Sequence, residues 1–411
     1  MSASTMGLGV GCAAAAALPT APSARGRAGG RGRRHGVSVV RRGRRVVRAT
    51  TMEDEAWDPT QSFLRRNKAP LRWKVGFFSA TPGFMKAAKE KSLVESIPGA
   101  TFFDVALGPD TAYLARGMDA VCLFVNDECG PEVVDLLADL GVKAVLMRCA
   151  GFDRVNLDAC ARRGVTVANV PAYSPEAVAE FAVSLCLALN RKIIKAAARV
   201  REGNFALNGL VGFDMHGKTV GVMGTGRIGA AACRIYAGFG CKVLAYDAYE
   251  NEALKQEIPG LRYVGLDEIL ASSVVLSLHL PLNDDTYHVI DDAAIAKMEK
   301  RPIIVNVGRG GLIDTDALLR GLKSRKLRGV GLDVIEGEAG MYFQDWSDDE
   351  IGFNDVADSS FVRLSTFPNV ILTPHVAFLT DEALEQILST TAQNAAQIER
   401  GEPVKNEVKK R

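Results

Sequence analysis

Three glycines and an aspartate in the second half of the chain have the types and spacing for binding a phosphorylated ligand. Gly224, Gly226 and Gly229 in "TVGVMGTGRIGAAACRIYAGFG" form G-x-G-x-x-G between an apolar run and a helical segment. Glycines so spaced permit a tight turn, close backbone approach to a pyrophosphate and close helix-on-sheet packing. The start of the following helix adds N–H donors and a positive dipole end. Taken alone they also describe an ordinary Gly-rich turn. Asp247 lies eighteen residues beyond Gly229, at the end of the next apolar run, where a carboxylate binds the ribose hydroxyls of a dinucleotide. No arginine follows it in "DAYENEALK", so a 2′-phosphate would meet repulsion, and the pattern predicts NAD(H) rather than NADP(H).

Three further residues suit an anionic carbonyl substrate. Arg309 sits in the Gly-rich turn of "PIIVNVGRGGLID", and its planar fork matches a carboxylate. Glu338 stands in "GLDVIEGEAG", two residues past Glu336, and His375 in "VILTPHVAF" follows a proline at the end of an apolar run. Singly, each reads better as a surface arginine, a solvated acid and a histidine ending a strand. Together they fall at the C-terminal ends of apolar runs, the ligand side of an open parallel sheet.

These residues must be held by alternating strands and helices. "KVGFF", "DAVCLFV", "KAVLMRC" and "VTVANV" read as buried strands, with an amphipathic helix at "PEVVDLLADLG". A long helix is predicted from Pro175 to about Arg201, with Val178, Phe181, Leu185 and Leu189 on one face. A second series follows with strands at "KTVGVMG", "KVLAYD", "VVLSLHL", "PIIVNVG" and "RGVGLDVI", and a final helix from Asp381 to about Arg400. This alternation predicts an α/β chain with parallel sheets. Its two joins fall at the prolines of "PAYSPEAV" and near Val376, so His375 belongs to a domain junction.

Length and composition set the frame. A chain of 411 residues exceeds one ordinary domain and fits two. With 47% hydrophobic and 24% charged residues it has the profile of a globular protein, and no apolar run is long enough for a membrane span. Residues 1–50 hold ten arginines and no Asp, Glu or Lys, leaving 40 basic and 48 acidic side chains on the remaining 361 residues. That mildly acidic body argues against a nucleic-acid surface. The basic, acid-free, Ala- and Ser-rich leader resembles an organelle transit peptide, or else a tail for an acidic partner. Processing near Ala49 favours the chloroplast stroma, with the mitochondrion as alternative. Eight cysteines show no C-x-x-C and no histidine at metal spacing, so reduced thiols, no disulfide and no metal are expected.

The segments "GTGRIG", "VNVGRGGLIDT", "GLDVIEGE" and "TPHVAF" together resemble the D-isomer-specific 2-hydroxyacid dehydrogenases. "VCLFVNDE", "RCAGFDRVNLDA", "VPAYSPEAVAEFA", "FLTDEAL" and the loop "EGEAGMYFQDWSDDEIGFND" bring the likeness nearest to the fermentative, NAD-dependent D-lactate dehydrogenase branch. The resemblance implies a two-domain α/β fold, a Rossmann coenzyme domain inserted into a flavodoxin-like substrate domain. On this chain the substrate domain falls at 73–172 and 377–411 and the coenzyme domain at 173–376, after a leader at 1–50 and a linker at 51–72. By position, His375 matches the proton donor, Glu338 its carboxylate partner and Arg309 the substrate-binding arginine. The amides of Ala150 and Gly151 match the loop that grips the substrate carboxylate, and Tyr173 and Phe378 match the pocket lining. Asp333 matches the carboxylate that holds the nicotinamide amide, while Arg227, Ile228, Leu280, Pro281, Thr286, Val307 and Gly308 match other cofactor contacts. Two positions depart from the pattern: Gly308 stands where serine or threonine is common, and Ile335 where tyrosine or phenylalanine is.

The implied reaction is reversible reduction of pyruvate to D-lactate by NADH. It needs hydride at the carbonyl carbon and a proton at its oxygen, for which an imidazolium beside a carboxylate is suited. The arginine would neutralise the substrate carboxylate and polarise the ketone. Glyoxylate, hydroxypyruvate or a branched 2-keto acid are alternative substrates. A non-catalytic NADH-sensing protein is a reading of another class. A homodimer or homotetramer is implied, the Val178–Leu189 face being compatible with a dimer helix. No nucleic-acid or membrane partner is expected.

Overall fold

A computed structural model of the chain describes residues 39–42, 45–51, 71–90, 96–338, 342 and 360–409. Most of the expected leader and linker, Cys12, and nearly all of the loop at 339–359 lie outside the described residues.

Two seven-stranded sheets are formed by the described residues. The first contains β1 (Val39–Arg42), β2 (Arg45–Thr51), β3 (Lys74–Phe77), β4 (Gly99–Phe103), β5 (Ala120–Leu123), β6 (Ala144–Met147) and β7 (Thr166–Ala168), in the order β1-β2-β4-β3-β5-β6-β7. From β4 to β7 every pairing is parallel. Taken in chain order those five strands read 2-1-3-4-5, the flavodoxin-like order. Successive side chains feed opposite faces, as a pleated strand requires. Val121, Leu123, Val145 and Met147 join Val133, Leu137 and Ala159 of the helices Pro131–Asp139 and Leu157–Arg163. Ala120, Cys122, Ala144 and Leu146 join Leu388 and Ala395 of the helix Asp381–Glu399. Burial on both faces is why these strands read as unbroken apolar runs.

The second sheet contains β8 (Thr219–Met223), β9 (Lys242–Tyr246), β10 (Arg262–Tyr263), β11 (Val275–Leu278), β12 (Ile303–Asn306), β13 (Gly329–Leu332) and β14 (Val370–Leu372). Its order is β10-β9-β8-β11-β12-β13-β14, all parallel. That is the doubly wound dinucleotide-binding order with one strand added, and it reverses between β8 and β11. The helices Pro175–Arg191 and Arg227–Gly238 cover one face with Val220, Val222, Val243 and Val305. The helices Leu266–Ser272, Asp292–Lys297 and Thr315–Lys323 cover the other with Leu244, Leu276, Ile304 and Val330. The chain thus leaves the first sheet after β7, builds the second, and returns to the first with Asp381–Glu399, so a Rossmann unit is inserted in a flavodoxin-like one.

Four details differ from the sequence reading. The long helix is two, Pro175–Arg191 and Ile193–Arg201, separated by Lys192 at φ 55°. Asn190, buried, bonds both the N–H and the carbonyl of Phe213 and so ends the buried face there. The face expected to serve a dimer is occupied within the chain: Val178, Leu185 and Leu189 belong to the core of the second sheet. Strands β4 and β10 had no counterpart in the reading. Finally, Val39–Arg42 and Arg45–Thr51, inside or next to the expected leader, form an antiparallel hairpin paired on the edge of β4.

Candidate active site

The glycine turn after β8 has the shape a dinucleotide needs. Gly224 holds φ 90°, and a Cβ there would lie 2.6 Å from the carbonyl of His279. A Cβ at Gly229 would collide with the carbonyl oxygen of Gly224, whereas one at Gly226 would meet nothing within 4 Å. The turn is therefore tight at its first and third glycines and open at the second, where a pyrophosphate would approach. Arg227 and Ile228 open the helix beyond it. Asp247, ending β9, accepts from Thr225 N at 2.5 Å, Thr225 Oγ1 at 3.0 Å and Tyr249 N at 3.0 Å. A carboxylate accepts about four bonds, so Asp247 steadies the turn and keeps capacity for a ribose hydroxyl. Burial pushes the His279 imidazole beneath the turn down to about 4, so it stays neutral there. On the far side, Leu280 is buried, and Thr286 closes its loop by donating to the Pro281 carbonyl at 2.6 Å.

Arg309 follows β12 in a turn braced by Asn306. That buried amide accepts from Gly308 N at 3.0 Å and donates to the Arg309 carbonyl at 2.8 Å. Val307 is buried within the turn. At Gly308 a Cβ would press on Leu312 Cδ1 at 3.1 Å and the Leu280 carbonyl oxygen at 3.2 Å, so this turn takes a side chain only by shifting one of them. Gly310 lies so close to Ile335 that a Cβ would stand 2.2 Å from its carbonyl. The arginine loop is thereby seated on the loop that carries Glu338.

Glu338 Oε1 lies 3.0 Å from His375 Nδ1, and its Oε2 accepts from Ile335 N at 3.0 Å. His375 itself holds φ 56°. Asp333 holds the turn in that conformation. Fully buried, it accepts from Thr373 Oγ1 at 2.6 Å, Val376 N at 3.0 Å and Ala377 N at 2.9 Å, and its carbonyl accepts from His375 N. One acceptor position remains open on its carboxylate.

The first sheet faces this assembly with the loop after β6. A side-chain carbon at Gly151 would lie 2.7 Å from Arg309 Nη2, and Arg309 Nε is 3.8 Å from Asp153 Oδ2. Among the described residues, no protein acceptor takes the N–H of Ala150 or Gly151. Tyr173 stands edge-on to Phe378, and Phe378 also packs on Phe124, so this ring touches the cores of both sheets. Burial pushes the Tyr173 phenol up to about 12, which keeps it protonated.

Behind the loop lies a buried cation that the sequence reading passed over. Arg148 donates to the carbonyls of Phe78 at 3.0 Å and Ser79 at 2.7 Å, its guanidinium sandwiched between Phe84 and Phe124. Asp127 accepts from Leu107 N, Phe124 N and Ser79 Oγ. Burial raises the Asp127 carboxyl, against its hydrogen bonds and Arg148. The readable signal was polar residues inside apolar strand ends: Arg148 in "AVLMRC" and Asn306 in "IIVNV". Among the described residues no group of three metal-ligating side chains occurs, the seven cysteines are thiols, and no helix is long and apolar enough to cross a membrane.

A dinucleotide turn on one sheet, with an arginine and a His–Glu pair on loops that meet a second sheet's open amides, defines a dinucleotide-dependent oxidoreductase working between two α/β units. Comparison with known proteins makes this specific. The NAD-binding domain of D-isomer specific 2-hydroxyacid dehydrogenases matches residues 183–377. The D-lactate dehydrogenase of Escherichia coli is 46% identical over 307 residues, 75% of this chain and 91% of that protein. Among solved structures, the pyruvate reductase of Chlamydomonas reinhardtii superposes with TM-score 0.77 at 45% identity, over 81% of this chain and 98% of that one. D-lactate dehydrogenase of Lactobacillus jensenii with NAD⁺ gives 0.68 at 30% identity, over 82% and 99%. The chain belongs to the NAD-dependent D-isomer-specific 2-hydroxyacid dehydrogenases.

Proposed function

We propose that the chain is a D-lactate dehydrogenase: pyruvate, NADH and a proton give D-lactate and NAD⁺, reversibly. One observation carries this. The His375–Glu338 pair and Arg309 stand on adjoining loops of one sheet, and Arg309 comes up against Gly151 on the loop after β6 of the other. Arg309 and those amides bind the substrate carboxylate, and His375 gives its proton to the keto oxygen. With Nδ1 held by Glu338, Nε2 is the nitrogen that serves. Tyr173 and Phe378 line the pocket and keep water out. Asp247 and the glycine turn bind the ribose and pyrophosphate, with Arg227, Ile228, Leu280, Pro281, Thr286, Val307, Gly308 and Asp333 around the rest of the cofactor. Bound NADH supplies the hydride to the carbonyl carbon. Residues 73–172 and 377–411 form the substrate domain and 173–376 the coenzyme domain.

The test is a panel of 2-keto acids with NADH and with NADPH. Pyruvate with NADH is expected to give the highest kcat/KM, with D-lactate as product. A higher value for glyoxylate, hydroxypyruvate or a branched acid would reassign the substrate, and no turnover of any would leave a binding protein.

Asp247→Ser removes both a ribose acceptor and the repulsion of a 2′-phosphate. The NADH/NADPH preference is expected to fall about tenfold or more, about 1.4 kcal/mol. An unchanged ratio from steady-state kinetics would leave Asp247 as a brace of the Thr225 turn alone.

For assembly, the Ile193–Arg201 helix and the segment after it support a homodimer, or a homotetramer built from one. That helix has no fully buried side chain, and Ile193, Ile194 and Val200 are each more than half exposed on it. Beside it Phe205 and Leu207 are 74% and 79% exposed. The double substitution Ile194→Glu, Phe205→Glu is expected to halve the mass seen by light scattering. An unchanged mass would place the interface elsewhere.

The composition of residues 1–50 supports an organelle leader, for the chloroplast stroma, with the mitochondrion as alternative. The five-strand parallel order is complete without the hairpin such processing would remove.

A further inference from the structure

We infer that Asn169, held by Asn394 and Asn406 of the C-terminal segment, is the positioning residue that aims the Ala150 and Gly151 amides at the substrate carboxylate. This rests on the proposed role of those amides and adds what sets their direction.

Two consecutive carbonyls of the loop are tied to the strand end beside it. The Cys149 carbonyl accepts from Val170 N at 3.1 Å, and the Ala150 carbonyl accepts from Asn169 Nδ2 at 2.8 Å. In a trans peptide the C=O and the following N–H point in opposite directions. Fixing the Cys149 oxygen therefore aims the Ala150 N–H, and fixing the Ala150 oxygen aims the Gly151 N–H, both away from residues 169–170. Two successive N–H groups turned to one side make an anion-binding concavity. The Cα of Gly151 faces Arg309. A carboxylate between the arginine and these amides would meet charge on one side and paired donors on the other.

Of the two ties, the one to Ala150 depends on a side chain. Asn169 is buried, and a carbonyl only accepts, so its amide nitrogen must face Ala150. Its backbone is held at both ends: its N–H donates to the Asn406 carbonyl at 3.2 Å, and its carbonyl accepts from Asn394 Nδ2 at 2.8 Å. Asn406 Nδ2 in turn donates to Asn394 Oδ1 at 3.0 Å. Val408 N bonds the Val167 carbonyl, extending the contact along β7. The last residues of the chain are thereby part of the support of a substrate-binding loop far from them in sequence.

Asn169→Asp keeps shape but presents an acceptor to an acceptor, and Asn169→Ala removes the tie. Both should release the Ala150–Gly151 peptide. KM for pyruvate and the inhibition constant of oxamate, a non-reacting carboxylate analogue, are expected to rise about tenfold or more. The NADH dissociation constant, from fluorescence titration, should stay within about twofold, and kcat at saturating pyruvate should fall much less than KM rises. Asn406→Ala, which loosens Asn394 from outside, should move the same constants in the same direction by less, and it serves if the Asn169 variants do not fold. Folded variants that keep both pyruvate and oxamate constants, or that lose kcat and thermal stability with those constants unchanged, overturn the inference. Failure of the underlying reading looks different, since Arg309→Lys would then leave the pyruvate KM unchanged in the parent chain.

Discussion

His375→Gln is expected to slow pyruvate reduction and D-lactate oxidation alike by about 10² to 10⁴, the range that a positioned acid–base group supplies. The imidazole sits on a turn held by Asp333 and is paired through Nδ1 with Glu338 at 3.0 Å. Glutamine fills similar space and bonds but carries no proton to give near neutral pH. Equal loss in both directions follows because the group that donates in reduction accepts in oxidation. NADH binding, measured by fluorescence, should persist, since the glycine turn and Asp247 belong to other strands. Glu338→Gln keeps a bond to Nδ1 while removing the carboxylate charge beside the ring, and its rate should fall between wild type and His375→Gln. Near-normal turnover in His375→Gln would return the residue to the end of a strand and nothing more.

Arg309→Lys should lower kcat/KM for pyruvate by about 10² to 10³, comparable to removing a donor that stabilises developing charge at the reacting carbonyl. Lysine keeps the charge but loses the planar fork that meets a carboxylate with two parallel bonds. Its ammonium cannot both fill the place of Nη1, 2.9 Å from the Gly308 carbonyl, and reach Gly151 as Nη2 does. A collapse of NADH affinity with pyruvate KM unchanged would assign Arg309 to the cofactor side instead.

Much of this was legible in the sequence because both sheets are covered on each face, so their strands appear as short β-branched runs between helical patterns. The turn at Gly224–Gly229 was legible for the opposite reason, since backbone contact there excludes side chains and leaves glycine as a visible mark. What escaped was short or contingent. β4 in "GATFF" was not read as a strand, and β10 has two residues. The break at Lys192 depends on Asn190 meeting Phe213, a contact between segments more than twenty residues apart. Arg309, Glu338 and His375 were legible by residue type and place at strand ends. Their mutual seating was not, because it rests on Gly310 touching Ile335 and Asp333 gathering residues 373–377, both set by parallel pairing between distant strands. Nothing in "VTVANV" marks Asn169, since its partners lie at the far end of the chain.

The return of the Asp381–Glu399 helix to the first sheet has a consequence for a chain leaving the ribosome. N-terminal domains ordinarily fold first during synthesis. Here the second sheet is complete once Leu372 has emerged, while the first still lacks Leu388 and Ala395, which close over Val75, Phe77, Ala144 and Leu146. Until those residues appear, the earlier-made half keeps an open apolar face. The half made later closes first and brings the two ends of its insertion together where Tyr173 meets Phe378. The nascent protein therefore matures from the middle outward, able to hold nucleotide before it can hold a keto acid.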